Sequence, residues 1–122
     1  MADLVTVPSI IEAKGNKPKY IQEFIGLVNT HNEDISIAKM VSPEGWSEPG
    51  QTAEFDEYTV VLKGILCVKT TDSIFEVKTG QVLLAKKGEW VQYSSPYEKG
   101  AEYMSVCIPA FSPGLVKRDN QQ

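Results

Sequence analysis

The chain has 122 residues, a formal net charge of −4, 42% hydrophobic residues, two cysteines and one histidine. That length suffices for one domain with a real core, and the acidic balance gives no electrostatic footprint for nucleic acid or an anionic membrane. No stretch approaches the ~20 apolar residues needed to span a bilayer, and MADLVTVPSI lacks the basic start and long apolar run of a signal peptide, so a cytoplasmic location is expected.

Taken in order, the chain reads as a series of short strands. Val5 to Ile11 is β-branched and interrupted by Pro8, which cannot donate to a ladder, so an edge strand or arm is expected. Ala13 to Lys19 is turn-rich. Tyr20 to Ile25 is ambiguous in period, but its β-branched residues and the following Gly26 favour a strand over a short helix. His31 to Asp34 reads as a polar turn and Ile35 to Val41 as a strand.

The organising stretch is Gly45 to Gly64, GWSEPGQTAEFDEYTVVLKG. A Gly/Pro/Ser/Glu loop leads into a strand in which Gln51, Ala53, Phe55, Glu57, Thr59 and Val61 share one face. Gly64 reads as a turn before a second strand, Ile65 to Thr70. A hairpin around Thr71-Asp72 follows, with Ser73 to Lys78 as its return strand. Gln81 to Ala85, Trp90 to Ser94 and Glu102 to Ile108 complete the strands, and Pro109 to Gln122 leaves the sheet as a tail packed over the rest. Many short strands with turn signals between them imply an all-β barrel or sandwich, one domain over residues 1–122.

The spacing of the glycines resembles the cupin superfamily. Its first motif is Gly, five residues, His-x-His, three or four residues, Glu, six residues, Gly. Gly45, Glu57 and Gly64 fall on it, with Gln51 and Ala53 at the two His positions. Its second motif is Gly, five residues, Pro-x-Gly, two residues, His, three residues, Asn. Gly80 and Gly88 fall on it, with Lys86, Val91 and Ser95 at the Pro, His and Asn positions. The resemblance covers residues 35–112. It implies an antiparallel β-barrel of the double-stranded β-helix or jelly-roll type with short terminal arms. It also implies a homodimer, for which the apolar edge segment Val5 to Ile11 is the expected donor. The FDEYTVVLKG stretch, and an aliphatic residue at the second motif's His position, also resemble the ethanolamine-utilisation cupins.

The family holds its metal with three His and one Glu, whereas His31 is the sole histidine here and lies outside both motifs. No metal and no cofactor are therefore expected. An unorthodox site using Glu57 and Gln51 is the remaining metal reading.

Glu57 is the leading catalytic candidate, because a carboxylate in an apolar cavity resists ionisation and is suited to moving protons. Tyr93, two residues beyond Val91 on the same face, is its candidate partner as donor or proton shuttle. Gln51, Thr59, Trp46 and Glu89 are candidate ligand-binding residues, giving a pocket of neutral hydrogen-bonding groups around one acid. Trp90 and Tyr97 read as aromatics of a wall, core or interface. Glu44, Glu48, Glu54 and Asp56 read as a solvated acidic rim, and Lys86-Lys87 and Lys117-Arg118 as solubility features. Cys67 and Cys107 read as buried structural thiols. The expected partner is a small polar metabolite, with no nucleic acid and no membrane. Two functions stand side by side: metal-independent acid–base chemistry of an isomerase, epimerase or lyase kind, and a binding or sensing module that leaves its ligand unchanged.

Overall fold

The computed structural model describes residues 1–120. It is an antiparallel, all-β structure of ten strands and one short helix: β1 (Ser9–Ile11), β2 (Tyr20–Ile25), β3 (Ser36–Ser42), β4 (Trp46–Ser47), β5 (Gln51–Thr52), β6 (Asp56–Thr70), β7 (Ile74–Lys78), β8 (Val82–Ala85), β9 (Trp90–Ser95), β10 (Ala101–Ile108) and α1 (Pro113–Val116). One sheet runs β1-β2-β3-β10-β6-β8. The other runs β7-β6-β9, with β4 and β5 both on β9. β6 belongs to both and curls the sheets around a common interior.

The 15-residue β6 corrects the reading of Gly64 as a turn. Gly64 does not reverse the chain; it is the corner at which one strand passes between sheets. Two devices make the corner. Lys63 pairs with Glu102 and Val61 with Tyr103, which leaves Leu62 as an extra residue. That bulge shifts the inward side chains from Thr59 and Val61 to Leu66 and Val68, so both halves of the strand bury their apolar face. Gly64 itself has φ +76°, and a Cβ there would stand 2.2 Å from the Gly100 carbonyl oxygen.

The principal core lies between the sheets around Trp46, Val61, Leu66, Val68, Val91 and Tyr93. A smaller cluster, Ala53, Phe55, Cys107 and Val116, sits under the C-terminal segment, with Phe111 and Leu115 packed against it. That segment crosses the barrel as expected of a packed tail, but it includes the unanticipated α1. It also closes backbone bonds along β5: Thr52 N–H donates to the Lys117 carbonyl at 3.0 Å and Glu54 N–H to that of Leu115 at 2.7 Å. Edge donors that β5 leaves open are thus satisfied by the tail.

Candidate functional site

The register places alternate side chains of three strands in rows across the first sheet. Ser36, Cys107 and Glu57 stand abreast, and Ala38, Ser105 and Thr59 form the next row. Period two turns both rows inward, where they floor a cavity of about 310 Å³. Gln51 and Tyr93 face them from the second sheet. Lys19, from the connection before β2, and Val116 and Arg118, from the tail, close its ends. Glu12, Lys14 and Pro113 are exposed and mark where it meets solvent. The volume is at the lower end of the ~300–1,000 Å³ of small-molecule pockets, space for about ten waters at ~30 Å³ each.

Glu57 is held from two sides. Its Oε1 accepts the Tyr93 hydroxyl at 3.2 Å and its Oε2 accepts the Ser105 hydroxyl at 2.5 Å. A carboxylate offers about four lone-pair sites, so two stay open to a ligand. Burial, and then the Glu57 carboxylate, push the Tyr93 phenol well above its ordinary range, so Tyr93 keeps its proton and acts as a donor. Burial, and again Glu57, also push the Cys107 thiol up, so Cys107 presents a neutral thiol beside the acid.

A second charged group lies in the same cavity. The Lys19 ammonium rests 4.3 Å from the centre of the Trp46 ring and 5.3 Å from that of Tyr103. Burial alone would lower its pKa, but Tyr103, Glu48 and Glu57 together raise it, so the lysine is a cation. Glu48 is 7% exposed. Burial raises its carboxyl, against the lowering pull of Lys19 and Arg118. Arg118 reaches it at 3.5 Å through Nη2. Two polar atoms of the cavity walls are buried without a partner: Thr59 Oγ1 and Arg118 Nε.

The structure brings Glu57, Tyr93, Gln51 and Thr59 together around the cavity. Gln51 and Val91 are paired across β5 and β9, which sets the two motifs' histidine positions face to face. Trp46 and Glu89 are placed otherwise. Trp46 is fully buried in the core, its indole N–H donating to the Lys14 carbonyl at 3.3 Å, and it meets the site only by supporting Lys19. Glu89 is exposed on the turn before β9, where its carboxylate accepts the Lys86 N–H at 3.3 Å. Alternation counted back from Val91 stops at Trp90, where the strand starts.

Glu48 departs from the solvated rim expected of it, whereas Glu44 and Glu54 are exposed and Asp56 accepts the Lys87 N–H at 2.9 Å. Arg118 is likewise drawn inward, because its backbone bridges Gln51. His31 lies exposed in a loop, as expected, and Cys67 is half-buried rather than buried. Trp90 binds the tail through Asp119 at 2.9 Å, and the exposed Tyr97 donates to Glu76.

The donor set does not fit the metal of the cupin motifs. Ala53 and Val91 carry no ligand atom, and Glu57 is already engaged by two hydroxyls. No group of three His, Cys, Asp or Glu side chains converges among the described residues.

No protein-family model matches the chain. One curated relative, Endoribonuclease YbeY of Myxococcus xanthus, is 40% identical over 97 residues, which are 80% of this chain. The chain spans only a third of that protein's length, 33%. Three solved structures align closely. The EutQ protein of Clostridium difficile has a TM-score of 0.63 and 22% identity, over 75% of this chain and 63% of that one. A predicted oxalate decarboxylase of Thermotoga maritima has a TM-score of 0.70 and 20% identity, over 84% and 92%. The polyketide cyclase RemF of Streptomyces resistomycificus has a TM-score of 0.74 and 15% identity, over 100% and 88%. These are cupin-fold proteins, and at such identities the likeness is one of fold. With both glycine motifs in register and the same barrel, the chain has the cupin fold, and Gln51, Ala53 and Val91 stand at the motif positions where histidine is expected.

Proposed function

We propose that the barrel binds a small metabolite bearing a polar group and that Glu57 exchanges a proton with it, in chemistry of an isomerase, epimerase or lyase kind that needs no metal. One observation carries this reading: a carboxylate faces a ligand-sized cavity with two lone-pair sites open, oriented by Tyr93 and Ser105. Tyr93, which keeps its proton, serves as the donor that holds Glu57 in place, and Gln51 and Thr59 supply neutral hydrogen bonds to the ligand. The nuclease activity in the relative's name is not carried over, since the chain spans a third of that protein and has a net charge of −4.

The test is solvent-deuterium exchange. A compound found to bind by fragment screening should take up deuterium in the presence of the wild-type protein. Glu57→Gln should bind it within a few-fold and exchange it at the background rate. Exchange that survives the substitution removes Glu57 from the chemistry. A ligand bound but never exchanged by the wild type leaves the barrel as a sensing module, the reading favoured by the hydrogen bond that each Glu57 oxygen already accepts.

We also propose a homodimer. Among the described residues β1 pairs only with β2, and Ile10 in it and Leu4 and Val7 before it are exposed, an apolar edge that a partner strand would cover. Light scattering at micromolar concentration should give twice the 13.5 kDa chain mass; a monomer would refute it.

A further inference from the structure

The charged end of the cavity holds hydrogen-bonding capacity that the protein does not use. Arg118 donates to Glu48 only at 3.5 Å, beyond the ~2.7–2.9 Å of a well-formed charge-assisted bond. Its Nε is buried with no partner, so one fork of the guanidinium is vacant. Lys19 has no carboxylate within 4.0 Å among the described residues; it is held over two aromatic faces instead. The Thr59 hydroxyl, 1% exposed, is also without a partner. An unsatisfied buried donor costs ~1–3 kcal/mol. Two of them, Arg118 Nε and Thr59 Oγ1, on the walls that also carry the Lys19 ammonium, point to an acceptor that arrives with the ligand.

The other walls narrow the ligand further. Ile21, Met40, Phe55, Phe111 and Val116 present apolar surface, so the body that follows the acceptor is apolar. Glu23 also lines the cavity, but its carboxylate accepts the Val28 and Asn29 amide N–H groups at 3.0 Å each. Glu48 and Glu57 remain to repel a second negative charge. A dianion such as a phosphate monoester or a short diacid therefore fits poorly.

Resting on the small-molecule reading above, we infer that the ligand is a monocarboxylic acid with an apolar body, its carboxylate seated by Arg118 and Lys19 and its body lying against Phe55, Met40 and Val116. Arg118 offers the planar fork that a carboxylate matches, and Lys19 the compact charge that completes it. Glu48 pairs with Arg118 and cedes it when the acid enters.

The experiment is a heteronuclear NMR titration of the full chain with two acid and amide pairs of the same shape: isovalerate and isovaleramide, benzoate and benzamide. The acids should bind at least tenfold more tightly than their amides, with shifts at cavity residues, and oxalate should not compete. Lys19→Met and Arg118→Gln should each lower the acid affinity at least tenfold and leave the amide affinity within about twofold. Amides that bind as well as acids, or an acid preference that survives both substitutions, overturn the inference and leave the cavity reading intact. Silence toward all four compounds overturns it as well. The cavity reading falls with it only if a general fragment set also leaves those resonances unmoved. The acid–amide comparison on the wild type decides the matter should either variant fail to fold.

Discussion

Gly64 offers a sharp test of how the barrel is built, because two other glycines serve as its controls. Gly64, Gly80 and Gly88 have φ of +76°, +85° and +84°, so alanine at each adopts the same unfavourable left-handed backbone. That conformation costs an L-residue ~1–2 kcal/mol. Part of the cost is offset by ~0.4–1 kcal/mol, since alanine also restricts the unfolded chain. Gly80→Ala and Gly88→Ala should therefore each destabilise by about 1 kcal/mol, since a Cβ at either position meets nothing within 4 Å.

Gly64→Ala carries the same conformational cost and one more. Its Cβ would stand 2.2 Å from the Gly100 carbonyl oxygen, and that backbone must retreat to at least 3.0 Å. Forcing atoms into a packed site costs typically ~1–3 kcal/mol, which brings the total to about 2–4 kcal/mol. Urea denaturation of the three variants, followed by tryptophan fluorescence, gives the differences from the midpoints if the slopes are unchanged. A Gly64 variant within about 0.5 kcal/mol of the two controls, the scatter expected of benign surface changes, would refute the close approach of β6 to the Gly100 loop as the device that shapes the corner.

Other outcomes follow from the site. Cys107 is buried with its thiol pushed up, and Cys67 is raised first by burial and then by Glu76. A disulfide-exchange reagent at pH 8 should therefore modify Cys67 slowly, spare Cys107 in the native protein and titrate both thiols in denaturant; rapid native modification of both would contradict the burial. Tyr93 has a folded pKa above its unfolded value of ~10, so above that pH the unfolded chain releases the proton first and stability falls as pH rises toward the folded pKa. Alkaline denaturation monitored by circular dichroism should be shallower in Tyr93→Phe than in the wild type, and identical pH slopes would count against the buried phenol. Ser105→Ala removes a donor to Glu57 and should cost ~1.5–3 kcal/mol for the hydrogen bond lost to a charged group; a neutral thermal shift would mean that water replaces Ser105 there.

The inward face of the first half of β6, up to Val61, is legible because it rests on period two. Gln51, Glu57 and Thr59 fall on one side of an extended chain whatever it pairs with. The same rule applied to β10 joins Tyr103, Ser105 and Cys107, but only the register against β6 tells which side faces the cavity. Lys19 and Arg118 lie outside any periodic run. Each is placed by a contact far away in sequence, with Trp46 and Gln51 respectively, and no local pattern announces such a contact. Glu48 sits in a loop whose composition reads as solvated, yet β4, two residues long, pins it to β9 and turns it inward. Gly64 reads as a reversal in the sequence because a glycine between β-rich runs serves equally for a corner, and the bulge at Leu62 that distinguishes them exists only opposite β10.

β6 also bears on the order in which the molecule is made. Every strand it pairs with (β7, β8, β9 and β10) follows it in the chain. When Thr70 leaves the ribosome, the longest strand of the protein has no partner yet synthesised, while β1, β2 and β3 already have one another. β10 must then close both β3 and β6 across a long stretch of chain, and distant pairings of that kind form slowly. Nascent chains halted before Ala101 should accordingly stay open to proteolysis within Asp56–Thr70, and resistance there should appear only once β10 is complete.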